Sequence, residues 1–131
     1  MQILQPADWP RAKGYSNGVA AKGTMVFVAG EIGWDPVTEK VVSDDFTAQF
    51  RQALENTVAI LKEADARPEH IVRVTWFITD KKAYLDDARA VGQAWRDTIG
   101  RHYPAMAVIE VKSLMEPGAM VEIETTAVIP D

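Results

Sequence analysis

The chain of 131 residues contains no cysteine. This absence excludes disulfide bonds, thiol nucleophiles and cysteine-ligated metal centres, and it is typical of a cytoplasmic protein. Histidine is nearly absent too, since His70 and His102 are the only two and do not have the spacing of a histidine metal motif. We therefore expect no metal site.

Basic charge is also scarce, because the net charge is −5 and the isoelectric point is about 5.0. A protein that binds nucleic acid needs a basic surface for the phosphates, so nucleic acid is not an expected partner. No apolar run approaches the ~18 residues that cross a membrane, and Met1 to Pro6 lack the features of a secretory signal. The sequence predicts a cytoplasmic protein with no membrane partner.

Familiar catalytic motifs are missing as well. The serines have no Gly-x-Ser-x-Gly context, and no glycine-rich loop precedes a helix in the pattern that holds phosphates. What remains is a set of residues that could converge in a folded chain: Tyr15, the run Ala29-Gly30-Glu31, Met106 and Glu122. Their spacing in the sequence does not establish that they meet.

The elements that are present predict one α+β domain over residues 1–131, with the order β-β-α-β-α-β-β. Two early strands join near Lys22-Gly23, and residues 1–13 look irregular. Asp44 or Asp45 begins a first helix that extends to about Ala64, and Thr79 or Asp80 precedes a second over residues 83–99. We expect both helices to cover one face of a mixed sheet.

The other face of that sheet is then unoccupied. We expect it to carry Val26 and Val28, and a small domain does not leave a broad apolar face in water. Self-association with closed symmetry is the simple remedy, so a homo-oligomer is predicted.

The last strand alternates, with Val121 and Ile123 on one side and two acids on the other. Glu122 is either a solvated sheet acid, paired with Lys112 or Arg101, or a functional group. Trp34, in a loop, is either a lid on a pocket or a packing anchor.

Several blocks resemble the RidA family, the reactive intermediate deaminases, also called YjgF/YER057c/UK114. The blocks follow one another over nearly the whole chain: Gly14-Tyr15-Ser16-Asn17, Val26-Phe27-Val28-Ala29-Gly30-Glu31-Ile32, Gln52-Ala53-Leu54-Glu55-Asn56, Val74-Thr75-Trp76-Phe77-Ile78-Thr79-Asp80, Pro104-Ala105-Met106-Ala107 and Val121-Glu122-Ile123-Glu124. The resemblance implies a chorismate-mutase-like fold and a homotrimer with a central barrel and three clefts between subunits. It also implies hydrolysis, without a cofactor, of small-molecule enamines or imines such as 2-iminopropanoate and 2-iminobutanoate to 2-oxo acids and ammonia.

The resemblance further implies which residues form the site. Tyr15 and Glu122 match the catalytic tyrosine and the water-handling glutamate of the family. Substrate binding is implied for the residues that match the rest of the family site: Lys13, Ala29, Gly30, Glu31, Ala88, Met106 and Ala107. Three of these depart from the family pattern, because Ala29 replaces a serine, Ala88 an asparagine and Met106 the arginine that holds the substrate carboxylate.

The loss of that arginine matters most. A guanidinium holds a carboxylate through two charge-assisted hydrogen bonds, so its replacement by Met106 costs on the order of 3 kcal/mol, or over a hundredfold in affinity. We therefore expect weak or absent 2-iminopropanoate deaminase activity.

Three functions stay open at this point. In the first, the chain is a divergent enamine or imine deaminase whose substrate lacks the carboxylate of the small 2-imino acids or offers that carboxylate to Lys13 instead. In the second, it is a binding protein without turnover that uses Met106, Trp34 and Trp76 as an apolar lining. The third reading is a translation inhibitor or ribonuclease, as some members of the family are described, and the acidic composition argues against it.

Overall fold

A computed structural model describes residues 1–131 and confirms a mixed α+β architecture. The strands are β1 (Gln2–Leu4), β2 (Gly18–Ala20), β3 (Gly23–Ile32), β4 (Trp34–Asp35), β5 (Lys40–Val41), β6 (Ile71–Ile78), β7 (Ala105–Glu110) and β8 (Val121–Pro130). The helices are α1 (Phe46–Lys62), α2 (Lys81–Asp86) and α3 (Ala88–Thr98), with a short 3₁₀ turn at Pro68–His70. None of the helices is both long and apolar enough to cross a membrane.

The main sheet has four strands in the order β3-β8-β6-β7, in which β6 and β7 are parallel and the other pairs antiparallel. Two small sheets, β1-β2 and β4-β5, flank it. The core lies between the main sheet and the helices α1 and α3, where Phe50, Leu54 and Trp95 pack against Trp76 and Ile123.

The helices begin where the sequence indicates. The carboxylate of Asp45 accepts a hydrogen bond from the backbone N–H of Ala48 at 2.9 Å, and Asp80 accepts one from Ala83 at 3.1 Å, so both act as N-caps. The single helix predicted over residues 83–99 is wrong, because the chain breaks at Asp87 into α2 and α3. The carboxylate of Asp87 accepts a hydrogen bond from the Thr47 hydroxyl, which ties the break to α1.

The early hairpin is a second correction. Strand β2 pairs with β1, in the segment expected to be irregular, and β3 pairs with β8 at the far end of the chain. Gly23 explains why the chain continues rather than turning back. Its φ is +147°, and a Cβ there would lie 1.9 Å from the carbonyl oxygen of Ile129, so the glycine permits close approach to β8.

The two faces of the sheet differ as predicted, although their assignment on β3 was wrong. Val26 and Val28 pack on the helix-covered side, with Val28 buried, whereas Met25 and Phe27 are 57% and 71% exposed on the other. Because residues 25–29 are all apolar, the sequence carries no alternation from which their orientation could be read. The open face nevertheless carries exposed apolar side chains on both edge strands, since Ile109 of β7 is exposed there too.

One buried polar side chain joins α1 to the segment that leads into β8. The side-chain amide of Gln49 donates hydrogen bonds to the carbonyl oxygens of Ser43 and Gly118 at 2.8 and 2.9 Å, and its oxygen accepts one from the N–H of Met120 at 2.8 Å. The backbone of Gln49 also lies against Gly33, where a Cβ would come within 2.4 Å of it.

We expect Gln49→Leu to lower the free energy of unfolding by about 2–4 kcal/mol, because three partly buried hydrogen bonds to the backbone are lost together. Urea unfolding followed by circular dichroism measures the loss. Gln93→Leu on α3 is the control, since its side chain is exposed. An equal effect of the two substitutions would contradict the role of Gln49.

Candidate functional site

A cavity of about 590 Å³ opens at the edge of the sheet beside β7. Its walls are largely aromatic and come from separate elements: Tyr15 before β2, Trp76 of β6, Tyr84 of α2, Trp95 of α3 and Tyr103 before β7. The Trp76 ring stacks on Trp95 at a centroid distance of 6.1 Å and meets Tyr84 edge-on at 5.8 Å. The volume is in the range of pockets that hold small ligands.

The parallel register of β6 and β7 determines which side chains face this cavity. Met106 lies opposite Val74, and Val108 lies opposite Trp76, so both are on the helix-covered side and line the cavity. Ala107 lies opposite Thr75 on the open face, and the cavity does not include it. Within one chain, Ala107 and Met106 therefore do not share a pocket, because neighbouring residues of a strand face opposite ways.

The segment that carries Lys13 and Tyr15 is held beside β7 by Ser16. The Ser16 N–H donates to the carbonyl oxygen of Pro104 at 3.0 Å, and its hydroxyl donates to the carbonyl oxygen of Tyr103. Four of the residues singled out from the sequence thus line one cavity, namely Lys13, Tyr15, Ala88 and Met106.

The acidic residues form a second group elsewhere. A Cβ added at Gly30 would lie 2.5 Å from Oε2 of Glu122, so the carboxylate rests directly on the Gly30 backbone. The pairing of β3 with β8 shifts register between Val28 and Glu31, which makes a bulge at Ala29 and Gly30. Burial raises the pKa of the Glu31 carboxyl above its usual 4.5, and the nearby charge of Glu122 raises it further. Two interacting carboxylates therefore sit beside this bulge.

The sheet separates the two groups. Glu122 lies opposite Phe77, which follows Trp76 on β6 and so faces away from the cavity that Trp76 lines. Within one chain, the set expected to converge therefore divides, with Tyr15 and Met106 on one face and Glu122 on the other. Glu122 makes no ion pair with Lys112 or Arg101.

Several residues of the cavity were missed in the sequence. Arg96 and Gly92 of α3 line it, and so do Tyr84, Trp95 and Tyr103. The four-residue spacing of Gly92 and Arg96 puts them on one helix face, but Arg96 reads as an ordinary surface arginine. Trp34 lies outside this cavity and instead lines a smaller one of about 360 Å³, and its carbonyl oxygen accepts a hydrogen bond from Asn56 at 2.9 Å. No group of three or more histidine or acidic side chains is arranged to hold a metal.

Several known proteins are similar to this chain in sequence and in fold. The family model described as endoribonuclease L-PSP matches residues 7–129. A human 2-iminobutanoate/2-iminopropanoate deaminase is 30% identical over 128 residues, which cover 97% of this chain and 89% of the human protein.

Solved structures agree. YyfB of Yersinia pestis, from the conserved Rid protein family, superposes with a TM-score of 0.86 at 26% identity, over 98% of each chain. TdcF of E. coli with bound serine superposes with a TM-score of 0.70 at 32% identity, over 98% of this chain and 100% of TdcF. These similarities in sequence and structure show that the chain belongs to the RidA family.

Proposed function

We propose that the protein is an enamine or imine deaminase whose active site is a cleft between subunits of a homotrimer. The cavity of one protomer meets the Gly30–Glu122 surface of its neighbour in that cleft. One observation carries this proposal: the residues of the expected site lie on two opposite faces of the sheet, and each group is incomplete without the other. The name of the human relative supports the reaction class.

The open face of the sheet supports the assembly. Met25, Phe27 and Ile109 are all at least 44% exposed there. Exposed apolar side chains on an uncovered sheet face favour a protein interface there, and closed symmetry is the usual solution in homo-oligomers. Burial of these side chains between protomers would bring the edge strand β7, with its cavity, close to a neighbouring chain.

The carboxylates supply the chemistry that imine hydrolysis needs. Water adds to the carbon of the C=N bond while Glu122 takes one of its protons and passes it to the nitrogen, which gives a carbinolamine. A second proton on the nitrogen lets ammonia leave, and the hydroxyl proton returns to a carboxylate as the C–N bond breaks and the C=O bond forms. The pKa of Glu31, raised by burial and by Glu122, favours Glu31 as the acid that supplies this second proton. The Tyr15 hydroxyl, on the cavity side, orients the substrate.

The walls of the cavity indicate the kind of substrate. Met106 is apolar where relatives with small 2-imino acid substrates are expected to have arginine, and five aromatic side chains surround the remaining space. An imine with a bulky apolar or aromatic group would bury its side chain here, and 2-iminopropanoate would leave most of the volume empty.

A second candidate function is ligand binding without turnover. The observation that favours it is that the cavity contains no carboxylate of its own chain, while its aromatic walls suffice for binding. The two functions differ in whether Glu122 affects the fate of an imine or only the shape of the cleft.

We expect Phe27→Glu to convert the trimer into monomers, because it puts a charge at the most exposed large hydrophobic residue of β3 on the open face. Light scattering at micromolar concentration measures the mass. Val37→Glu is the matched control, since Val37 is 90% exposed in a loop away from this face. A monomeric mass for the unsubstituted protein would contradict the assembly.

We expect the imine freshly generated from phenylalanine to decay faster with the protein, and the imine from alanine to decay near its background rate. Glu122→Gln should slow the first reaction by about 10²–10⁴-fold, the usual loss with a general base. Glu124→Gln is the control, since it is the next acid on the same side of β8. Equal losses in the two variants, or no acceleration of either imine, would contradict deamination.

We expect Glu31→Gln to stabilise the protein at neutral pH. The native state binds the Glu31 proton more tightly than the unfolded state, so the native carboxyl contributes stability below pH 4.5 that is lost as the pH rises through its raised pKa. The advantage of the variant in urea unfolding should therefore grow from about pH 4 to about pH 8. Glu55→Gln, at an exposed site on α1, should show no such trend. A constant difference between Glu31→Gln and the unsubstituted protein across this range would contradict the raised pKa.

A further inference from the structure

We infer that Arg96 and Lys13 form an anion-binding clamp in the aromatic cavity, and that the ligand is an organic carboxylate with an aromatic body. This inference rests on the proposed function for the location of the site, because it concerns the same cavity. It concerns binding, however, and needs no turnover.

The charge of the lining is the first observation. Of the 13 residues that line the cavity, Arg96 and Lys13 are basic and none is acidic. The chain as a whole has a net charge of −5, so the lining of this cavity has the opposite sign to the molecule as a whole. A cleft lined by charges of one sign attracts ligands of the other sign.

The second observation is that the Arg96 guanidinium forms no direct ion pair within the protein, although its charge adds to the hydrogen bond from Gln93 that lowers the pKa of Asp97. No carboxylate lies within 4.0 Å of it, whereas Arg51 pairs with Asp97 at 3.0 Å and Arg67 with Glu69 at 3.0 Å. Its one side-chain hydrogen bond runs from Nη2 to the neutral amide oxygen of Gln93 at 3.2 Å. Since a guanidinium has five N–H donors, most of them remain free to bind a carboxylate.

Gly92 lies directly beside this guanidinium. It lies one turn before Arg96 inside α3, and a Cβ at Gly92 would be 3.4 Å from Nη1 of Arg96 and 3.9 Å from Nη2. The guanidinium therefore folds back over the bare backbone of Gly92, and both residues line the cavity. A glycine inside a helix is normally unfavourable, and here its missing side chain leaves the wall open beside the cation.

The remaining walls define the body of the ligand. Trp76 and Trp95 stack with an interplanar angle of 26° and form a mostly buried part of the wall, and Met106 of β7 adds an apolar side chain to the lining. A planar ring bound against these side chains would have its carboxylate within the part of the cavity that Arg96 and Lys13 line. Such a carboxylate matches the aromatic 2-imino acid substrate, or its 2-oxo acid product, in charge and shape.

Calorimetric titration with 3-phenylpropanoate tests the clamp, with its uncharged amide and with acetate as comparison ligands. We expect the carboxylate to bind at least about tenfold more tightly than the amide, and acetate to bind more weakly than 3-phenylpropanoate. Arg96→Gln should weaken binding of 3-phenylpropanoate by about tenfold to a hundredfold and leave binding of the amide unchanged. Added salt should weaken only the binding of the carboxylate.

Arg89→Gln is the matched control, since Arg89 is an exposed arginine of the same helix that does not line the cavity. Lys13→Gln gives an independent test at an exposed position, in case Arg96→Gln does not fold. Equal affinity for the carboxylate and the amide, equal effects of Arg96→Gln and Arg89→Gln, or no binding at all would overturn the clamp. Tight and Arg96-dependent binding without imine decay would instead support the clamp and contradict the deaminase.

Discussion

The structure depends on the alternation of β8, which lies in the middle of the main sheet between β3 and β6. Its residues Val121, Ile123 and Thr125 are buried beneath the helices, and the acids Glu122 and Glu124 face the other way. A slip of one residue would bury both acids and expose the core, so the register is strongly specified. The same alternation fixes Glu122 on the face opposite the aromatic cavity.

Because of that separation, a complete site needs residues from two protomers. One side of the sheet provides a cavity with aromatic walls, two cations and no acid, and the other provides the Glu122 carboxylate against a glycine bulge, with Glu31 next to that bulge. A cationic binding pocket and an acid–base pair are complementary parts of an imine hydrolase. The open face, on which Phe27 is the most exposed large hydrophobic residue of β3, supplies a reason for chains to associate so that the parts meet.

Local patterns predicted much of this fold. The apolar stripe of α1, the caps at Asp45 and Asp80, and the strands β6 and β8 all follow from residues close in sequence. Contacts between distant parts of the chain determine the features that the sequence did not predict. One is the pairing of β2 with β1, and another is the break between α2 and α3, where the Asp87 carboxylate accepts a hydrogen bond from the Thr47 hydroxyl. Likewise, the sequence identified residues of both groups, the cavity and the Gly30–Glu122 surface, but not that the sheet separates them. Arg96 could be recognised as a candidate only once the structure placed it in the wall of the cavity.

In the proposed trimer, Glu122 of one protomer faces the cavity of another. Because the chain has no cysteine, cross-linking of introduced cysteines tests this arrangement directly. A variant that combines Met106→Cys and Glu122→Cys would be treated with a short bifunctional maleimide. The control variant combines Met106→Cys with Ile60→Cys, since Ile60 lies on the exposed side of α1. We expect covalent dimers and trimers on a denaturing gel for the pair Met106→Cys and Glu122→Cys, and monomers for the control pair. Monomers alone for both pairs would contradict this arrangement.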